Sequence, residues 1–472
     1  MKILLYNWIP FDENLKGGGV TVYTRNIVNK LANEYKEHEL YFLCAGSYYD
    51  NTNISIRYEQ IALNYKINCK AFTIVNSPVF APAYLQFFHM DKTLNDTSLR
   101  TCFLEFMKNE GPFDVVHFQN LEGLSVNAFS CKELFPNTKF VYSIHNYYAF
   151  CPRVDLWRGN IDNCSCKNTG EECLECMICH VPGEKLRKKM EMTYELRKAY
   201  SEDKKKLFDE KGKIIDEEYF SEEHRKLTES EKQILSTQLE LYRIKMVDAI
   251  NNNMDCILAV SQRVSEIAIE MGVRKDLVKV SYIGTEVAQS AINKYSGRYK
   301  APLTMIFMGY QNTEKGFFFL MDALDKMSLE LSKNINLLIV ARGNVYNEEM
   351  LNTHKKKFNS VTFKNGYSRE ELTELLSMAD FGVVPVLWED NLPQIAIEMA
   401  ANGVPVISSN RGGAKELTNN SEFVFEAGDT TSFINCVKKI VDEPRLLETY
   451  YENYPGLMTM DKHLSELLSF YE

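Results

Sequence analysis

The chain has 472 residues, a net charge of −10, a pI near 5.5 and a hydrophobic fraction of 45%. That length exceeds a single hydrophobic core and suits two domains with an insertion. The acidic balance argues against a nucleic-acid partner, and no apolar run approaches the roughly 18 residues that span a bilayer.

The N-terminal segment from Met1 lacks a signal h-region and a small-residue cleavage site, so the cytoplasm is the expected compartment. Lys2–Trp8 instead predicts a first buried strand. A Gly17-Gly18-Gly19 turn follows, then a helix over Val20–Tyr35 with Val20, Tyr23, Ile27 and Leu31 on one face. Further strands are predicted at Glu39–Ala45, Ala71–Asn76, Asp114–Gln119, Lys139–Ile144, Cys256–Val260 and Val278–Tyr282. Continuous apolar runs between helices predict a parallel sheet covered on both faces.

Residues 147–180 break this rhythm with a loop rich in Cys, Asn, Gly and Pro. Residues 184–250, dense in Lys, Glu and Arg, predict two or three amphipathic helices inserted in the first domain (181–250). Their charge reads as a solvated surface or, more sharply, as peripheral docking on an anionic membrane or acceptor complex. The polar segment Val287–Ala301 reads as a linker.

The second half alternates more cleanly. Strands are predicted at Thr304–Met308, Ile335–Val340, Val361–Lys364, Phe381–Val386, Val404–Ser408 and Glu422–Phe425, with helices over 315–328, 346–357, 368–378, 393–402 and 430–441. The expected fold class is α/β. Residues 1–290 and 291–445 form two doubly wound Rossmann-like domains facing across a cleft, and 446–472 form a helical tail packed on one of them.

Four stretches carry chemistry. In Trp388-Glu389-Asp390-Asn391-Leu392-Pro393-Gln394 a strand ends in acids and a helix begins. Glu398 lies within that helix and Gly403 ends it. Asp390 and the helix N-terminus should therefore stand at the carboxyl edge of the sheet, where free N–H groups suit a diphosphate and carboxylates suit sugar hydroxyls. The blander alternative makes Asp390 or Asn391 a helix cap and Glu398 a surface residue. In Gly309-Tyr310-Gln311-Asn312-Thr313-Glu314-Lys315-Gly316, Lys315 opens a helix near the same edge, placed to neutralise a departing diphosphate. Gly18 and Gly19 permit close backbone approach to phosphate. His145 ends a strand that should face the cleft, and His117 ends another.

The fifth cluster is Cys151, Cys164, Cys166, Cys173, Cys176 and Cys179. In a reducing compartment it favours a metal site, since four thiolates suit a tetrahedral structural Zn²⁺. Reduced thiols and disulfides are the alternatives.

Asp390 followed eight positions later by Glu398 resembles the Glu-x7-Glu region of the family 4 retaining glycosyltransferases of GT-B fold. The Phe307–Gly316 stretch, the glycine pair and the strand ending at His145 resemble that family as well. The resemblance implies that Glu398 holds the nucleotide ribose and that Asp390 with Asn391–Gln394 holds the donor sugar. It implies that Lys315 neutralises the diphosphate, that Gly18 and Gly19 line the cleft, and that His145 bonds the sugar. The family has Arg where this chain has Tyr310, which removes one fixed charge unless Arg342 or Arg411 substitutes. The cysteine pattern, Cys151, Cys164 and Cys173-x2-Cys176, resembles a subset of the family and implies Cys151, Cys164, Cys173 and Cys176 as the zinc ligands, with Cys166 or Cys179 able to replace one.

The implied activity is retaining transfer from a UDP- or GDP-linked sugar to a glycan or lipid-linked acceptor, as in surface polysaccharide biosynthesis. No metal is expected at the reaction centre, since the chain lacks an Asp-x-Asp motif. Rival readings are a sugar phosphorylase or nucleotide-sugar epimerase of the same fold, a non-catalytic partner subunit, and an interaction module built on 147–250.

Overall fold

The computed structural model describes residues 1–12, 18–50, 53, 55–83, 86, 89–159, 161–164, 170–178, 227–368, 370–452 and 454–472. Gly17, Cys166, Cys179 and residues 181–226 of the expected insertion lie outside them.

The first lobe is built on β1 (Lys2–Tyr6), β2 (Glu39–Tyr48), β3 (Arg57–Ile61), β4 (Lys70–Val75), β5 (Val115–Phe118) and β6 (Lys139–Ile144). A small hairpin follows, β7 (Trp157–Arg158) with β8 (Asp162–Asn163), and then β9 (Cys256–Ala259) and β10 (Val278–Val280). Eight of these form one sheet in the order β10-β9-β6-β5-β1-β2-β4-β3. Every pairing in it is parallel except β3 on β4. Ile3, Leu4, Leu5 and Tyr6 of β1 are fully buried, as a central strand covered on both faces requires. Burying each such aliphatic side chain contributes about 1.5–3 kcal/mol. The edge strand β3, Arg-Tyr-Glu-Gln-Ile, is half-exposed and too polar to signal a strand on its own.

The second lobe carries β11 (Leu303–Tyr310), β12 (Ile335–Arg342), β13 (Ser360–Lys364), β14 (Phe381–Val384), β15 (Val406–Ser409) and β16 (Val424–Phe425). They form a wholly parallel sheet in the order β13-β12-β11-β14-β15-β16. Strand order reverses between β11 and β14, so a crevice opens at the carboxyl ends of those two strands. The helices Phe317–Lys326, Glu348–Lys357, Leu372–Ser377, Gln394–Ala401 and Thr430–Asp442 occur where the spacing predicts them.

Three features add to the sequence expectation. Of the expected insertion, residues Glu229–Asn253 form one 25-residue helix, opened by a capping box between Thr228 and Glu231. The linker does not hang free: Ile292 N–H donates to the Ala401 carbonyl at 2.8 Å and Tyr295 bonds Asp380, both in the second lobe. The tail serves both lobes. Tyr451 donates to the Ala400 carbonyl (3.0 Å), and the helix Met460–Tyr471 then returns to the first lobe, where His463 meets Tyr23 and Tyr471 meets His117, each at 2.6 Å.

Candidate active site

A cleft of about 350 Å³ lies between the lobes. Val22 and Asn26 of the helix Gly18–Glu34, with Thr285–Val287, form one wall. Gly309, Tyr310, Arg342, Gly366, Tyr367, Leu372, Gln394 and Glu398 form the other. Two helix N-termini converge on it: a Cβ on Gly19 would stand 3.4 Å from Gln394 Nε2, so the first helix of one lobe meets the start of Gln394–Ala401 in the other. Each presents N–H groups that no intrahelical carbonyl takes up.

Beside the cleft, Lys315 Nζ donates to Asp390 Oδ2 at 2.6 Å and stands 5.0 Å from the centre of the Trp388 ring. Lys315 occupies the turn before the helix Phe317–Lys326 rather than its first position, because Gly316 is the cap. Glu398 lies one turn into its helix, close enough to Tyr367 that its charge, after burial, helps to push that phenol up to about 12. Pro393 caps the helix and Asn391 donates to the Ile144 carbonyl across the lobes at 3.5 Å. The Leu392 side chain packs inward. It is buried and lines a different cavity with Tyr282, Ile283, Ile397 and Leu417, because its apolar side chain turns into the lobe interface.

His145 Nε2 lies 2.9 Å from Gln119 Oε1, and its ring packs 4.7 Å from that of Tyr23. Burial and the nearby His463 lower its pKa to about 3, so the imidazole is neutral at physiological pH. His117 is fully buried between Tyr471 and Ser143 (2.6 and 2.8 Å), and Gln119 connects it to His145. It thus braces His145 through Gln119.

Local sequence reasoning missed Glu389, Arg263 and Glu416. Glu389 is buried, and its carboxylate accepts from Arg263 Nε and Nη2 at 3.2 and 3.1 Å, from Gly412 N at 2.9 Å and from Arg411 Nη1 at 3.4 Å. Burial would raise its pKa, but these donors outweigh burial and hold it below the usual carboxylate range. Arg263 belongs to the first lobe, so the pair crosses the interface. Glu416 of the second lobe accepts from the backbone N–H of Gln262 and Arg263 and from the Tyr282 hydroxyl, each at 2.8 Å, capping a first-lobe helix. Tyr147 completes the seam by donating to the Glu389 carbonyl at 2.9 Å. Glu389 adjoins the predicted acid, but nothing in the local pattern says that it faces the other lobe.

Cys151, Cys164, Cys173 and Cys176 gather around one small cavity with Arg153, Trp157 and Arg243. Cys176 Sγ accepts from Gly159 N at 3.3 Å and Arg153 Nη1 at 3.4 Å. Among the described residues, no three His, Cys, Asp or Glu side chains converge as ligands of a single ion. Nor is any helix among them long and apolar enough to cross a membrane.

Residues 289–455 match the family model for glycosyl transferases group 1. The second lobe carries a group 1 glycosyl transferase domain. YtcC of Bacillus subtilis, whose own glycosyltransferase assignment is provisional, is 21% identical over 276 residues, 52% of this chain and 66% of that protein. The chain thus spans just under two thirds of that relative's length. The fold is GT-B, shared with sucrose-phosphate synthase from Thermosynechococcus elongatus (15% identity, TM-score 0.56, 100% and 98% of the two chains). It is shared also with HepE from Anabaena, solved in complex with UDP (14%, 0.56, 99% of each chain).

Proposed function

We propose that this protein is a retaining glycosyltransferase that transfers a sugar from a UDP- or GDP-linked donor to a glycan or lipid-linked acceptor. Surface polysaccharide assembly is the process that fits. One observation carries the proposal: a single interlobe cleft has Glu398 on its wall, two helix N-termini facing across it, and the Lys315–Asp390 pair at the same sheet edge. Uracil is the favoured donor base, since structures of HepE, which shares the fold, hold UDP and UDP-glucose.

Glu398 accepts hydrogen bonds from the ribose hydroxyls. The amides at the start of Gln394–Ala401 and the Lys315 ammonium receive the diphosphate as negative charge builds on it. Asp390, held by Lys315, accepts from the sugar hydroxyls. The neutral His145 contributes a dipolar contact rather than a charge. The leaving diphosphate, on the same face as the acceptor, can take the acceptor hydroxyl's proton, and the closed lobes exclude water that would otherwise hydrolyse the donor.

The test is donor binding and turnover in two variants. Glu398→Ala should weaken donor binding about 10–100-fold, the loss of charged hydrogen bonds worth about 1.5–3 kcal/mol. Lys315→Ala should cut turnover about 10²–10³-fold. Wild-type behaviour in both, or release of nucleoside diphosphate that does not depend on acceptor, would overturn the proposal.

A further inference from the structure

The sequence departs from the family it resembles at Tyr310, where an arginine is expected, and a departing diphosphate then lacks one of its two cations. The sheet register shows where the charge has gone. β11 and β12 run parallel with Tyr310 paired directly to Arg342 across the ladder, so the two residues stand side by side at the same carboxyl edge. Both line the cleft, as does Glu398.

The three cations at this edge differ in what they meet. Lys315 is engaged with Asp390 at 2.6 Å, and Arg411 points to Glu389 at 3.4 Å and is absent from the cleft wall. The Arg342 guanidinium, by contrast, makes no hydrogen bond or ion pair with any described residue. It is nevertheless placed: Gly366, with φ of +80°, leaves room for it, since a Cβ there would stand 3.1 Å from Arg342 Nε. A planar guanidinium held against bare backbone and facing a cleft presents a fork of donors suited to two phosphate oxygens.

Resting on the donor site proposed above, we infer that Arg342 supplies the second diphosphate-binding cation, transposed by one strand from position 310. It touches the donor and stabilises the charge on the leaving group together with Lys315.

The test compares the full-length protein with Arg342→Gln, Arg342→Lys and the double variant Arg342→Gln/Tyr310→Arg. Each is titrated calorimetrically with UDP and GDP and with uridine and guanosine, and its Tm is recorded. Arg342→Gln should lose about 10–100-fold in affinity for the diphosphate the wild type binds, while nucleoside affinity and Tm stay unchanged. The lysine variant should fall between, and restoring an arginine at 310 should recover affinity, because the two positions are neighbours in register. Unchanged diphosphate binding in Arg342→Gln would overturn the inference while leaving the donor site intact. So would an equal loss for nucleoside and diphosphate. Failure of the wild type to bind any nucleoside diphosphate would instead remove the donor site itself, and the inference with it.

Discussion

The two lobes handle polarity in opposite ways. The second lobe presents charge: Glu398, Arg342 and the Lys315–Asp390 pair, with Glu389 buried behind them among Arg263, Arg411 and the Gly412 amide. The first lobe lines the cleft with Val22, Asn26 and Thr285–Val287 and holds a neutral cluster in its interior: Tyr23, His145, Gln119, His117 and His463, linked by short hydrogen bonds, with burial first and the neighbouring imidazoles second keeping the histidines uncharged. The difference suggests a division of labour. Under the function proposed above, the fixed charges of the second lobe supply the countercharge that a diphosphate needs before the leaving group departs, and the uncharged interior of the first lobe adds no field that would compete with it.

If the charged wall works by fixed position, moving its backbone should cause the largest effect. Gly412 has φ of +62°, and a Cβ there would stand 2.0 Å from the Asp390 carbonyl oxygen. Gly412→Ala should displace the Asp390 loop, lower stability by about 2–4 kcal/mol and abolish turnover, as read by chemical denaturation and initial rates. Full activity in this variant would break the comparison, since it would show that the acid loop need not be held.

Next in size is the link between the walls. Arg263→Ala strips Glu389 of its cross-lobe partner and should cost about 1–3 kcal/mol, less than a full buried-charge penalty because Gly412 and Arg411 remain. A double-mutant cycle with Glu389→Gln should return a coupling of about 1 kcal/mol or more. Additive effects would mean that the lobes close without this pair.

The neutral cluster predicts a pH dependence. Folded His145 and His463 titrate near 3 and 4, and His117 lies well below its ordinary value, in each case chiefly through burial. The unfolded chain takes up these protons near pH 6.5, so below that pH the unfolded state binds more protons and stability falls as pH falls. Each histidine should contribute a slope of about 1.4 kcal/mol per pH unit between roughly pH 6 and 4. Tm measured across that range should decline, and His463→Gln should flatten the decline. An unchanged slope would show that the cluster is not kept neutral.

Much of the second lobe was legible in the sequence. Its strands are apolar runs between short amphipathic helices, and Glu398 with Lys315 sit at strand and helix ends that point to a single edge. The first lobe was harder to read. The polar edge strand β3 has no apolar alternation, and the helices Met90–Leu94 and Thr97–Glu110 lay in a stretch where only the cap at Asp96 gave a local signal.

The sequence by itself determined the two α/β lobes and the identity of the acids, glycines and lysine at the strand ends, because hydrophobic periodicity and turn chemistry are local properties. Only the tertiary structure decided that Leu392 faces away from the cleft, that Arg263 and Glu416 fasten the lobes, and that Arg342 rather than Arg411 faces the empty space beside Tyr310. Those outcomes depend on strand register and on contacts between residues more than a hundred positions apart, which no local pattern encodes.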